Sequence, residues 1–210
     1  MSELWLILLV LLNLVISIWN AYIAGVVWQE SKAIGGFIRA VIWSAVIMSA
    51  CGFMMVYAAI LGMVAAAAHW ISPEAYKALM SMTYLLIIVP VLGSGLVITV
   101  HSWIVAWRER DWLSMGSAAW NTFAQISNTY QAVNGGVSGA WGVVGDFFSS
   151  KDDDSKDAGM KLVVGLIFLA AFVLAIGSTY GVWRLGRGSP LATPEAVAKL
   201  DGWRRRSSPA

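Results

Sequence analysis

Long uncharged stretches alternate with short charged clusters along this chain. From Leu4 to Gln29 no residue carries a charge, and the run is almost wholly aliphatic up to Trp19. Uncharged runs recur over residues 40–72, 78–107 and 162–183. A hydrocarbon layer about 30 Å thick needs about 20 apolar residues of helix. The pattern therefore predicts transmembrane helices over residues 4–28, 38–71, 78–107 and 161–184, an all-α, polytopic helical bundle with four clear spans. Ser72-Pro73-Glu74 closes the second span as a turn. Trp28, Trp70, Trp103, Trp107, Tyr180 and Trp183 gather near the expected ends, where amphipathic rings favour the headgroup level. The first run has no basic leader and no small-residue cleavage site, and it exceeds the usual apolar core of a signal peptide, so it reads as a span.

Between the third and last spans the pattern changes. Trp112 to Gly145 carries no charge, yet it is rich in Ser, Thr, Asn, Gln and Gly rather than aliphatic residues. Its apolar positions Trp120, Phe123, Ile126, Tyr130, Val133, Val137, Trp141, Val144 and Phe148 recur at helical spacing. The opposite face holds Asn121, Gln125, Asn128, Gln131, Asn134 and Ser138. Glycines then recur at 136, 139, 142 and 145. Each interior glycine costs a helix about 1 kcal/mol against alanine, so either the helix breaks near Gly135-Gly136 or the glycines form a close-packing seam. Three readings of the segment stand open. It lies in the interface plane as an amphipathic helix; or it crosses or re-enters the membrane with its polar face against water or protein; or it is a linker continuing into the acidic loop Lys151–Asp157.

Composition fixes the class. The chain is 59% apolar and 12% charged with a mean hydropathy of +0.70, far from the roughly 25% charged residues of an ordinary soluble domain. Residues 1–110 hold three spans, 111–160 the neutral segment and acidic loop, 161–184 the last span, and 185–210 a basic tail expected to be disordered. A net charge of +2 argues against a nucleic-acid partner. The cluster Arg204–Arg206 suits an anionic lipid surface instead. Cys51, the single cysteine, falls mid-span and reads as a packing residue.

Charge bookkeeping bears on the neutral segment. With four spans, seven Lys and Arg fall on each side of the membrane, and the positive-inside rule is silent. A fifth pass through 112–145 regroups them. Lys32, Arg39, Arg108, Arg110 and the six Lys and Arg from Arg184 onward then face only Lys77, Lys151, Lys156 and Lys161. That bias sets the N-terminus outside and the C-terminal tail in the cytoplasm.

Polar residues inside spans mark packing or passage, because each must be satisfied within protein. Asn13 and Asn20, seven apart with Ser17 between, share a helix face suited to interhelical hydrogen bonds. Gly62 in Ala58-Gly62-Ala66, and the pair Gly177 and Gly181, have the small-xxx-small spacing that lets helices approach. Pro90 with Gly93 and Gly95 marks a kink, which either gates a conduit or, the preferred reading, accommodates packing. No catalytic constellation, metal set or cofactor motif emerges, and His69 and His101 are expected on opposite membrane sides. The expectation is a non-enzymatic, multi-pass protein of the cell membrane with no cofactor. Two function classes follow. In one, the chain forms a homo-oligomer and lines a channel or holin-like pore with Gln125, Asn128, Gln131 and Asn134. In the other, it is a structural or accessory subunit that docks on a membrane-protein partner through the amphipathic helix.

Overall fold

The computed structural model describes residues 3–28, 37–149 and 155–192, and every regular element among them is helical. The bundle is built from α1 (Glu3–Val26), α2 (Phe37–Ala67), α3 (Pro73–Glu109), α4 (Trp112–Gln131), α5 (Val137–Ser149) and α6 (Ser155–Arg187), followed by a short 3₁₀ turn, Pro190–Ala192. Most of the basic tail, with its expected disorder, lies outside the described residues. Helix α6 starts within the stretch expected as an acidic loop and α3 extends beyond both ends of its expected span.

Among the described residues three helices are long and apolar enough to cross a membrane: α2, α3 and the Ala158–Arg187 part of α6. This is one fewer than the four spans expected; in α1 the apolar stretch among the described residues is Val10–Val26. The outer surface agrees with a bilayer environment, because large apolar side chains such as Leu11, Val15, Val64, Val89 and Val173 are exposed around the bundle. A protein surrounded by water rarely leaves so much contiguous apolar surface uncovered.

The turns explain why neighbouring helices run antiparallel. Helix α2 ends with His69 in the left-handed region (φ 58°), while the His69 N–H donates to Ala66 O and the Trp70 N–H to Ala65 O. These are the two bonds of a Schellman stop, and a histidine takes the place usually held by glycine. Two residues later Ser72 caps α3: its hydroxyl accepts from the Ala75 N–H at 3.2 Å, with Pro73 in the first turn. At the other end of α3, Arg110 turns left-handed (φ 54°) and Asp111 caps α4, its carboxylate accepting from the Ser114 N–H at 2.9 Å. Bonds from the Ser114 side chain and backbone hold the Asp111 carboxyl below the usual carboxylate range. The chain therefore reverses within two residues, and α4 has no choice but to run back along α3.

Helix α2 sits centrally, with α1, α3 and α6 packed around it, while α1 and α6 also pack on each other. Small residues make this possible. Ala21, Ala24, Ala58, Ala75, Ala78 and Ala171 are fully buried, as expected where helices must approach closely without the water-driven hydrophobic effect. One core cluster joins Phe53, Met54 and Ala58 to Ile87, Ala171 and Ala175; a second joins Ala65, Ile71, Ala75 and Leu79 to Val164. At the α1–α6 crossing two glycines interlock. A Cβ on Gly25 would strike the α6 backbone at Trp183, and one on Gly186 would strike the α1 backbone at Tyr22. Beside them Trp28 meets Trp43 and Trp183 edge-on at 5.7 and 5.5 Å, and the Arg187 guanidinium lies 4.8 Å from the Trp183 ring centre.

Candidate functional site

The neutral segment lies alongside α3 through its whole length. Near the Arg110–Asp111 corner, the Asn121 amide donates to Ser102 Oγ at 2.6 Å and the Trp103 indole N–H to Thr122 Oγ1 at 2.9 Å. Thr99 Oγ1 donates to the Asn121 carbonyl at 3.3 Å. Further along, the Gln125 amide donates to the Leu92 carbonyl at 3.1 Å. Gly95 makes the room, since a Cβ there would collide with the Gln125 side chain. Next, Gly136 packs on the Tyr84 hydroxyl, and Phe147 packs against the cluster of Ala75 and Leu79. As residue numbers rise on the neutral segment they fall on α3, so the two run antiparallel.

The face turned toward α3 is the polar one. Asn121 and Gln125 are half-buried there and Ala118 is fully buried, while Trp120, Phe123, Ile126, Tyr130 and Val133 point outward. Of the four residues expected to line a pore or docking face, Gln125 meets α3 directly and Asn128 is half-buried. Gln131 is exposed and donates from its amide to Ser127 Oγ at 3.3 Å. Asn134 is exposed at a break in the helix: Ala132–Gly136 forms a π turn, with Asn134 at φ −85°, ψ 44° and Gly135 at φ 94°. Glycine is required there, because a side chain at positive φ is strained. Gly139, Gly142 and Gly145 have no atom within 4 Å of where a Cβ would stand, so the every-third-residue glycines make no seam within the chain. Tyr84 OH and Gln125 Oε1 are buried without a hydrogen-bond partner along this contact.

A second polar seam joins α1, α2 and α6. Ser17 Oγ donates to the Asn13 carbonyl at 2.6 Å, and Ser49 Oγ donates to the Ser17 carbonyl at 2.8 Å and lies 3.5 Å from Thr179 Oγ1. Tyr57 OH and Ser178 Oγ share a bond of 2.6 Å. Ser17, Ser49 and Thr179 are all buried, and Gly52 lets Ser17 close on α2. Asn13 itself is exposed and Asn20 half-buried. Gly62 packs against Tyr76 and Leu79, whereas Gly177 and Gly181 face open space outside the bundle. The close-approach positions that the sequence reading missed are Gly25, Gly52 and Gly186; Gly25 follows Ala21 at small-xxx-small spacing, whereas Gly52 and Gly186 have no small residue four away.

Chemically, both seams are made of neutral hydroxyls and amides, which can hold helices together or offer hydrogen bonds but provide no acid, base or metal ligand. Among the described residues no group of three His, Cys, Asp or Glu gathers. His69 lies in the α2–α3 turn, while His101 lies near the opposite end of the bundle against Phe37, with ring centres 6.2 Å apart. No protein-family model, curated protein or solved structure matches the chain.

Proposed function

We propose that the chain is a non-catalytic membrane protein that crosses the bilayer five times, α4–α5 being one of the passes, and that it acts as a structural or accessory subunit. The observation that carries this reading is the direction of the polar face. Asn121 and Gln125 give their amide donors to α3, so the surface that a passage would need is occupied within the chain. Trp120, Phe123, Ile126 and Tyr130 are left outward, an arrangement suited to lipid or to another membrane helix. A segment lying in the interface plane would not follow α3 from one end to the other. Charge supports the same topology: with five passes every arginine falls on one face, together with Lys32 and Lys199. That face is the cytoplasmic one by the positive-inside rule, and the C-terminal tail belongs to it.

A self-assembled passage is the second reading, favoured by Gln131 and Asn134, whose amides are exposed beside the helix break. Reporters at Ser2, Ser72, Ser155 and Ser208 test the topology. Five passes require the first three on one face and Ser208 on the other, whereas Ser155 opposite Ser2 and Ser72 would refute the crossing. Planar-bilayer recordings of the purified chain separate the two functions. Silence, together with co-purification of a different membrane protein in mild detergent, is the expected result. A conductance abolished by Asn128→Leu without loss of expression would favour the passage instead.

A further inference from the structure

The outer face of α3 carries a groove that borders the first polar seam, sharing Thr99 and Trp103 with it. Thr99, Val100, Trp103, Ile104, Trp107 and Arg108 line this open groove of about 640 Å³. We propose that this groove holds one phospholipid with an anionic headgroup, its phosphate on Arg108 and an acyl chain along Ile104 and Val100. The inference rests on the reading that α3 crosses the bilayer, and it adds to that reading a specific ligand.

Length is the first argument. From Arg108 to Thr99 the groove descends nine residues, about 13 Å at the helical rise of 1.5 Å per residue, which matches one leaflet of a hydrocarbon layer about 30 Å thick. Polarity runs the right way along it, since the cation stands at the membrane edge and Val100 and Ile104, both exposed, lie deeper. Charge is the second argument. Among the described residues the Arg108 guanidinium has no hydrogen bond or ion pair. The nearby carboxylates turn toward Ser114, whose one hydroxyl proton is shared between Asp111 Oδ2 at 2.6 Å and Glu109 Oε2 at 3.1 Å. Arg110, next to them, adds a second cation at the same edge. A guanidinium fork on a long apolar stem suits a phosphate at headgroup depth. Rigidity is the third. The Trp103 indole is fixed by its bond to Thr122, so one wall is formed in advance, while Trp107 is 76% exposed and free to lie against the headgroup.

The test uses the full chain in vesicles of phosphatidylcholine and phosphatidylglycerol in equal amounts. Flotation with the vesicles is scored first, then native mass spectrometry counts the lipids retained after release into mild detergent. Retention of phosphatidylglycerol over phosphatidylcholine by about fivefold is expected, the factor one basic residue gives near an anionic lipid. Arg108→Gln should bring that ratio close to one, while Arg184→Gln, which removes an exposed arginine at the same edge outside the groove, should leave it unchanged. Ile104→Trp, which fills the apolar part without altering charge, should lower retention of the bound lipid and serves if Arg108→Gln fails to fold. Equal effects of Arg108→Gln and Arg184→Gln, or equal retention of both lipids by the unaltered chain, would overturn the site while leaving the membrane reading intact. Failure to float would overturn both.

Discussion

The crossing of α1 and α6 gives opposite signs to two sets of Gly→Ala substitutions. Gly25 and Gly186 each face the other helix's backbone, at Trp183 and Tyr22, and a backbone cannot step aside as a flexible side chain can. Adding one methyl at either position forces the helices apart, an overpacking cost of about 1–3 kcal/mol. Better helix propensity returns at most about 1 kcal/mol of that. Gly177 and Gly181 meet nothing within 4 Å, so there the propensity gain acts alone and should stabilise by up to about 1 kcal/mol. Thermal or denaturant melting in mild detergent, followed by circular dichroism, reads both signs. The double variant Gly25→Ala/Gly186→Ala adds a sharper check. Both methyls obstruct one gap, so once the helices have parted for the first, the second costs less, and the pair should fall short of the sum by about 0.5 kcal/mol or more. Neutral effects at Gly25 and Gly186 would refute the crossing geometry. Destabilisation by Gly177→Ala or Gly181→Ala would refute the open surroundings of those glycines, and would mean that another chain covers them.

Three further outcomes follow from the seams and caps. A double-mutant cycle on Asn121→Ala and Ser102→Ala should return a coupling of about 0.6 kcal/mol, the usual size for an interhelical hydrogen bond in a membrane; zero coupling would mean that α4 does not dock on α3 by its polar face. Ser49 is completely buried between Ser17 and Thr179, so Ser49→Ala should cost no more than about 1 kcal/mol while Ser49→Leu should cost about 1–3 kcal/mol by overpacking; the reverse order in melting would contradict this packing. The Asp111 carboxyl is held below its ordinary range by Ser114, so its stabilisation of α4 is fully present above the ordinary carboxylate pKa and disappears as pH falls through the lowered value. Amide exchange at Ser114 should therefore accelerate, beyond its intrinsic chemistry, only below about pH 4, and Asp111→Asn should remove that acid dependence; acceleration already near neutral pH would contradict the cap.

The sequence by itself determined the helical class, the long apolar runs and the neutral character of residues 112–145, because the hydrocarbon thickness and the need to pair backbone groups leave a chain of this hydropathy few other forms. At Gly135-Gly136 the sequence left a helix break and a close-packing seam both open, and the positive φ of Gly135 in the folded chain decided for the break. Tertiary structure alone decided which way each helix turns. Spacing marked Gly177 and Gly181 as readily as Gly62, yet only Gly62 meets another helix; every face of a membrane helix is apolar, so hydropathy does not separate the side facing protein from the side facing lipid. The same ambiguity covered the amides of Asn121 and Gln125. Their periodicity put them on one face, but only the two-residue reversal at Arg110 and Asp111 turned that face onto Ser102 and the Leu92 carbonyl, where a buried amide left without a partner would cost about 1–3 kcal/mol.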